Sequence, residues 1–447
     1  MSKQSRPNVL LIVADDHRFD ALGCMGNPTV QTPYFDELAR TGFLLRHHHC
    51  MGGMQGAVCV PSRAIIYTGK DLFTAMTATD PCQERAMGTI APENLMLPEH
   101  FRNNGYQTHF VGKWHNDKVS LNRGFEGGGS IFLGGMGRQD DIPIRPYDPT
   151  GEYPQELVTS AGGFSTEVFA RSAREFLHAR DEERPFFLTV ALTSPHDPRM
   201  PPEPYASLYR PEDIPVPADF MPEHPFDNGE LMIRDETLAP HPRTPERVQK
   251  EVADYYGMIS HHDAFMGTIM SQLKVQGLWE NTLVIYTSDH GLCVGSHGLM
   301  GKQNVYDPSV RVPLIIGGGA APQGCSDAMT NHTDLISTLS SLAGLPAVEG
   351  SDGVDMSPYM LKSEEPPARI LTAAYKDVQS MASDGQWKFI RYRHSERRDC
   401  GTERIQLFHL DEDPYELNDL SEVPACAEQI DRLSKAEEAW WSTRPFA

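Results

Sequence analysis

Three acids and a histidine stand where hydrophobic runs break off: Asp15 and Asp16 after "NVLLIVA", Asp289 and His290 after "NTLVIYTS". In the same way "PFFLTVAL" runs into "TSPHDP", which carries His196, and "THFVG" runs into Lys113 and His115. In an open, mostly parallel sheet, ligands bind beyond the carboxyl ends of the strands. Any one of these residues reads equally well as a solvated loop group, but four strands ending this way point to a shared site. The carboxylates of Asp15, Asp16 and Asp289 suit a hard divalent cation. His290 adds a nitrogen ligand, soft for calcium, where an asparagine oxygen would serve better. One ion, Ca2+ first with Mg2+ or Mn2+ next, follows from this donor set, which lacks the cysteine–histidine cluster of tetrahedral zinc. Arg63, Lys113, His115, His196 and Lys302 supply positive charge around it.

That local charge matters because the chain as a whole is acidic. Its 39 Lys and Arg stand against 61 Asp and Glu, a net charge of -22. Such a surface repels nucleic acid and anionic membrane. An anionic substrate therefore needs a divalent ion and fixed donors gathered in one place. The stretch "AVCVPSRAIIYTG" adds to the cluster. It reads as a short helix with Pro61 in its first turn, and its free amides point toward Cys59. By itself Cys59 reads as a small buried hydrophobe, the usual state of a lone cysteine.

The elements that would position these groups alternate along the chain. With 447 residues, 39% of them hydrophobic, there is material for a large core and two lobes. "TPYFDELARTG" and "STEVFARSAREFLHAR" read as helices, and Glu246 to Gln276 as the longest helix. "PEHFRNNGYQTHFVGKWH" reads as helix, glycine stop and strand, a βαβ pattern. The segments 123–154 and 199–245 read as loops. After about residue 366 the pattern changes to short strands, "ARILTAAY", "GQWKFIRYR" and "RIQLFHL", and a last helix. The expectation is α/β: a large mixed β-sheet sandwiched by helices over residues 1–365, then a smaller α+β subdomain over 366–447. No run reaches eighteen apolar residues, so no membrane span is expected. The N-terminal apolar run is short and followed by acids, so it reads as a buried strand rather than a secretory signal. With eight scattered cysteines and no CxxC, a cytoplasmic setting with free thiols is expected, although a removed leader would leave no trace.

Cys59, Pro61, Ser62, Arg63, Thr68 and Gly69 match the C-x-P-S-R…T-G signature of the type I sulfatases, in the alkaline phosphatase superfamily. "GKWH", "SPH", "SDHG" and the lysine of "HGLMGKQNVYDPSVRVPLI" resemble the family's other blocks, in order, over about residues 7–365. "QLFHLDEDPYELNDL" resembles its terminal subdomain. The resemblance implies that Cys59 is converted to formylglycine (3-oxoalanine) by a maturation enzyme that reads Pro61 and Arg63. The hydrated aldehyde would attack the sulfur of a sulfate ester with one hydroxyl, and loss of a proton from the other would release sulfate. It implies Asp15, Asp16, Asp289 and His290 as metal ligands, Arg63 holding the hydrate and His115 taking the proton. Lys113 and Lys302 would bind sulfate, and His196 would bind it and protonate the leaving oxygen. The pocket's far side is less defined; His47 to His49, Asn116, Arg138, Asp197, Arg199 and Asp307 are its candidates. Their polarity suits a sulfated sugar more than a flat apolar ester, and small sulfated esters with good leaving groups are expected to be cleaved as well. The alternatives are a phosphonate monoester or phosphodiester hydrolase and, with Cys59 unmodified, a noncatalytic anion or glycan binder. Oligomeric state is not legible.

Overall fold

The computed structural model describes residues 6–77, 88–362 and 364–444. Eight strands form the large sheet: β1 (Asn8–Asp15), β2 (Phe43–His49), β3 (Gln107–Lys113), β4 (Gly127–Phe132), β5 (Phe186–Pro195), β6 (Thr282–Ser288), β7 (Arg311–Gly317) and β8 (Gly324–Asn331). Their order is β8-β2-β7-β6-β1-β5-β3-β4. Only β7 runs against its neighbours. β1, at the centre, is buried along its whole length. Strands covered on both faces need no polar alternation, which is why "NVLLIVA" is continuously apolar.

The two faces of β1 feed two hydrophobic layers. Val9, Leu11 and Val13 join Ala64, Ile65 and Ile66 of helix Cys59–Thr68, together with Ile336 and Leu339 of helix Asp334–Leu342. Leu10, Ile12 and Ala14 join the helices Pro33–Thr41, Ser165–Ala179 and Pro245–Val275, through Phe35, Phe169 and Phe265. This is the expected sandwich of helices about a mixed sheet. The segment read as loop from residue 123 instead contributes the edge strand β4, paired with β3.

The second sheet contains β9 (Leu371–Tyr375), β10 (Gln379–Ser383), β11 (Trp387–Tyr392) and β12 (Arg404–His409), all antiparallel. It does not belong to the C-terminal segment alone. Gly52–Gly53 pairs parallel with β9. A Cβ at Gly52 would fall 2.1 Å from the Ala374 carbonyl oxygen, so the pairing requires glycine there. The last helix, Ala427–Trp441, lays Leu433 on this sheet, and Trp440 stacks on Phe73 at 4.5 Å. Buried Lys388 of β11 binds Asp307 (2.8 Å) and Glu416 (2.7 Å), fastening the small sheet to the chain just beyond Lys302. Cys82 lies outside the described residues, and the other seven cysteines are free thiols. Among the described residues no helix is long and apolar enough to cross a membrane.

Candidate active site

Register brings the chemistry together. Asp15 pairs with Pro195, and Ala14 with Ser288, so the ends of β5, β1 and β6 lie level. Lys113 ends β3, the next strand beyond β5. The four strand ends singled out by sequence are thus four adjacent strands of one sheet. Cys59 opens its helix directly against them, and every residue from Cys59 to Thr68 is buried. Its sulfur lies 3.0 Å from His115 Nδ1 and 3.9 Å from Lys113 Nζ. Burial opposes a charged Cys59. The charges of His115 and Lys113, with hydrogen bonds from His115 and His290, nevertheless hold its pKa well below the ordinary thiol value. The helix N-terminus favours the same anionic form.

Arg63, one turn on, is 1% exposed. Its Nε donates to Asp289 Oδ2 at 2.9 Å and its Nη1 to the Lys113 carbonyl at 3.1 Å. Lys113 is ion-paired with Asp15 Oδ2, and Lys302 Nζ donates to Asp16 Oδ1 at 2.7 Å. His290 Nδ1 lies 3.2 Å from Asp16 Oδ1 and His196 Nε2 lies 3.9 Å from Asp16 Oδ2. Burial works against a charged His290, yet Asp289 and Asp16, opposed by Lys302, raise its pKa to about 9. Asp289 is held below the usual carboxylate range: burial opposes this, and the charges of His290 and Arg63 outweigh it.

These groups fit a divalent cation. Donor atoms of Asp15, Cys59, Asp289 and His290 lie within 4.8 Å of one another, as do those of Asp15, Asp16 and His196. Asp15 Oδ1 is buried without a hydrogen-bond partner among the described residues, with Arg63 Nη2 3.9 Å away. A buried carboxylate oxygen left unpaired is costly, and a cation would satisfy it. Within the set Asp15, Asp16, Asp289 and His290, hard carboxylate oxygens predominate over the single imidazole.

The site opens into a cavity of about 700 Å³ lined by Cys59, His115, His196 and Lys302. Gly135 stands against the outer edge of His115. A Cβ there would lie 2.7 Å from Nε2, so glycine leaves room for the imidazole. None of the residues assigned by sequence to the far side, His47 to His49 and Asp307 included, lines the cavity. Asn116 is buried, donating to the carbonyls of Val60 (3.1 Å) and Gly88 (3.4 Å). Arg199 is turned inward to Glu251 at 2.5 Å. Arg138 is a surface residue paired with Asp140, its side chain 66% exposed. Asp197 accepts both Nη groups of Arg234, at 2.6 and 2.9 Å, and approaches His196 Nδ1 at 3.2 Å. The far wall is built instead from Met136, Glu230, Met232, Arg234, Gln303 and Lys376. "NGELMIRDE" has neither strand nor helix periodicity, and a cluster of mixed charge in a proline-rich segment was its only signal.

A family model described as Sulfatase matches residues 7–345. An N-acetylglucosamine-6-O-sulfatase of Bacteroides thetaiotaomicron is 26% identical over 97% of this chain and 84% of its own length. The fold is that of a protein solved in complex with its substrate D-glucosamine-2-N,6-O-disulfate (TM-score 0.79, 21% identity, 98% of each chain). A phosphonate monoester hydrolase of Agrobacterium radiobacter has the same fold (TM-score 0.76, 23% identity, 98% of this chain and 95% of that one).

Proposed function

We propose that this chain, which belongs to the sulfatase family and is a sulfuric ester hydrolase, removes an O-sulfate from a carbohydrate using the oxidised side chain of Cys59. The contact of the Cys59 sulfur with His115 and Lys113, in a cavity that His196 and Lys302 also line, carries this reading. Once oxidised and hydrated, residue 59 supplies a nucleophilic hydroxyl and a second hydroxyl whose deprotonation frees sulfate. Asp15, Asp16, Asp289 and His290 would hold a divalent ion, which would supply charge neutralisation and a lowered pKa for the nucleophile.

The chain's own groups do the rest. Lys113 and Lys302 bind sulfate oxygens, exchanging their contacts with Asp15 and Asp16 for the anion. Arg63, fixed by Asp289, offsets negative charge beneath residue 59. His115, already within hydrogen-bond reach of residue 59, takes the proton that releases sulfate. His196 presents Nε2 to the leaving oxygen, with Nδ1 held toward Asp197. A sugar alkoxide is a poor leaving group and needs that proton. Preference for a sugar is further supported by the sulfated aminosugar substrates named for the relative and for the solved structure of like fold. Cys59, Pro61 and Arg63 are all buried in the folded chain, so the maturation enzyme must read them before folding closes.

Two measurements test the reading. The mass of the tryptic peptide spanning Cys59 should show conversion of the thiol to the aldehyde. The enzyme should then turn over a sugar O-sulfate faster than the matched phosphonate monoester; the reverse order would assign the site to phosphonate chemistry.

A further inference from the structure

The cavity is also lined by a pair of groups that the sulfate chemistry does not use. Lys376 lies in the turn between β9 and β10 at a φ of +47°. That left-handed conformation costs a non-glycine residue about 1 to 2 kcal/mol, and residues held so cluster at binding sites. Its N–H donates to the Gly53 carbonyl at 2.8 Å. Its side chain, 4% exposed, places Nζ on Glu230 Oε2 while still lining the cavity. The same Oε2 accepts from Tyr375 Oη at 2.8 Å and Arg398 Nη1 at 3.4 Å. All the donors converge on one oxygen. Among the described residues Glu230 Oε1 has no donor, and two of the three N–H groups of Lys376 Nζ have no acceptor. The pair is close to the chemistry. A Cβ at Gly56, three residues before Cys59, would lie 3.9 Å from Tyr375 Oη.

Resting on the carbohydrate reading above, we propose that Glu230 and Lys376 recognise two adjacent hydroxyls of the sugar that bears the sulfate. One hydroxyl donates to Oε1 and its neighbour accepts from Nζ. Charge selects this ligand. Lys376 is already compensated by Glu230, and a second sulfate or a carboxylate at this end would face Oε1. A cationic group would meet a carboxylate whose charge Lys376 and Arg398 already share. An apolar group would leave buried polar atoms unpaired, the strongest source of discrimination such a site has. A neutral diol satisfies both atoms.

The test compares the wild type with Glu230→Gln and Lys376→Met. The substrates are a panel of hexose and N-acetylhexosamine mono-O-sulfates, the monodeoxy analogues of the best one, and 4-nitrophenyl sulfate. The wild type should lose about 100-fold or more in kcat/KM on at least one monodeoxy analogue. Each variant should shrink that discrimination, and the ratio of sugar to nitrophenyl ester hydrolysis, by about tenfold. Calorimetric titration of Cys59→Ala with the sugar sulfate, with and without Glu230→Gln, should show the same loss in binding. Proportional losses on all substrates would mark the pair as structural and overturn the proposal. Should both variants fail to fold, the analogue series decides: wild type accepting every monodeoxy analogue within threefold overturns it equally. Hydrolysis of the nitrophenyl ester with none of the sugar sulfates would instead overturn the carbohydrate reading.

Discussion

The floor and the mouth of the cavity are built on different principles. At the floor, Asp15, Asp16, Asp289, His290, Arg63 and Lys113 are at most 1% exposed, and each projects from a strand end or a buried helix. At the mouth, Met232 is 78% exposed and Arg234 has a side chain 43% exposed, and both sit on irregular backbone. Rigid strands hold reacting groups in register, whereas loops change without disturbing the core. A fixed reaction with a variable leaving group calls for this division: sulfate is the same in every substrate, and what it is attached to is not.

The contrast is broken most severely at the floor. Cys59→Ala removes only the sulfur of a buried residue, so the thermal midpoint should stay within a few degrees while turnover falls at least about 10⁴-fold, as for loss of other covalent nucleophiles. Sulfate ester hydrolysis near the wild-type rate in this variant would remove residue 59 from the mechanism. Gly135→Ala tests how finely the floor is set. The added methyl would stand 2.7 Å from His115 Nε2, while Nδ1 is engaged by residue 59. A displacement of about 1 Å at a catalytic group lowers rate by about 100-fold. The expected loss is in kcat, with KM nearly unchanged because sulfate contacts remain; a loss confined to KM would place Gly135 in substrate binding instead.

The same division governs what the sequence discloses. β1, β5 and β6 are continuous apolar runs because both their faces are covered, and their ends are marked by polar residues, so the floor is readable residue by residue. β4 is "GGGSIF" and β8 is "GCSDAMTN". These edge strands carry no alternation, and only their neighbours β3 and β2 make them strands. Helix Pro245–Val275 is plain from its periodicity. The change of rhythm near residue 366 is visible, but the pairing of Gly52–Gly53 with the strand Leu371–Tyr375 beyond it is not, because a two-residue pairing leaves no pattern. Lys376 was invisible for a related reason: it reaches the cavity only through a left-handed turn in the second sheet.

His290 offers a smaller and directional effect. In the metal-free chain its pKa is raised to about 9, so at neutral pH it carries a proton that must leave before its nitrogen can ligate. Affinity for Ca2+ should rise about tenfold per pH unit between pH 7 and 9, and level off above that. His290→Asn offers an oxygen with no proton to lose, and its Ca2+ affinity should be nearly flat over the same range. Equal slopes in wild type and variant, measured by calorimetry, would exclude His290 from the ligand set.

The mouth yields the smallest effects, and two arginines separate its working part from its surface. Arg234 spans buried Asp197 and Asp235, at 2.6 to 2.9 Å, and Asp197 adjoins His196. Arg138 pairs with Asp140 two residues on, outside the cavity lining. The sequence offers Arg138 as a candidate and passes over Arg234; the cavity is lined by Arg234 and not by Arg138. Arg234→Met leaves Asp197 without its partner beside the proposed proton donor, so kcat/KM for a sugar sulfate should fall about five- to tenfold, as for one lost charged hydrogen-bonding partner. For 4-nitrophenyl sulfate, which leaves without a proton, the loss should be about twofold. An exposed pair between close neighbours in sequence contributes little, and Arg138→Met should change neither substrate by more than about twofold. If Arg138→Met instead selectively impairs the sugar sulfate while Arg234→Met does not, the substrate must extend out of the cavity across the 134–140 loop, and the wall formed by residues 230–235 is scaffold.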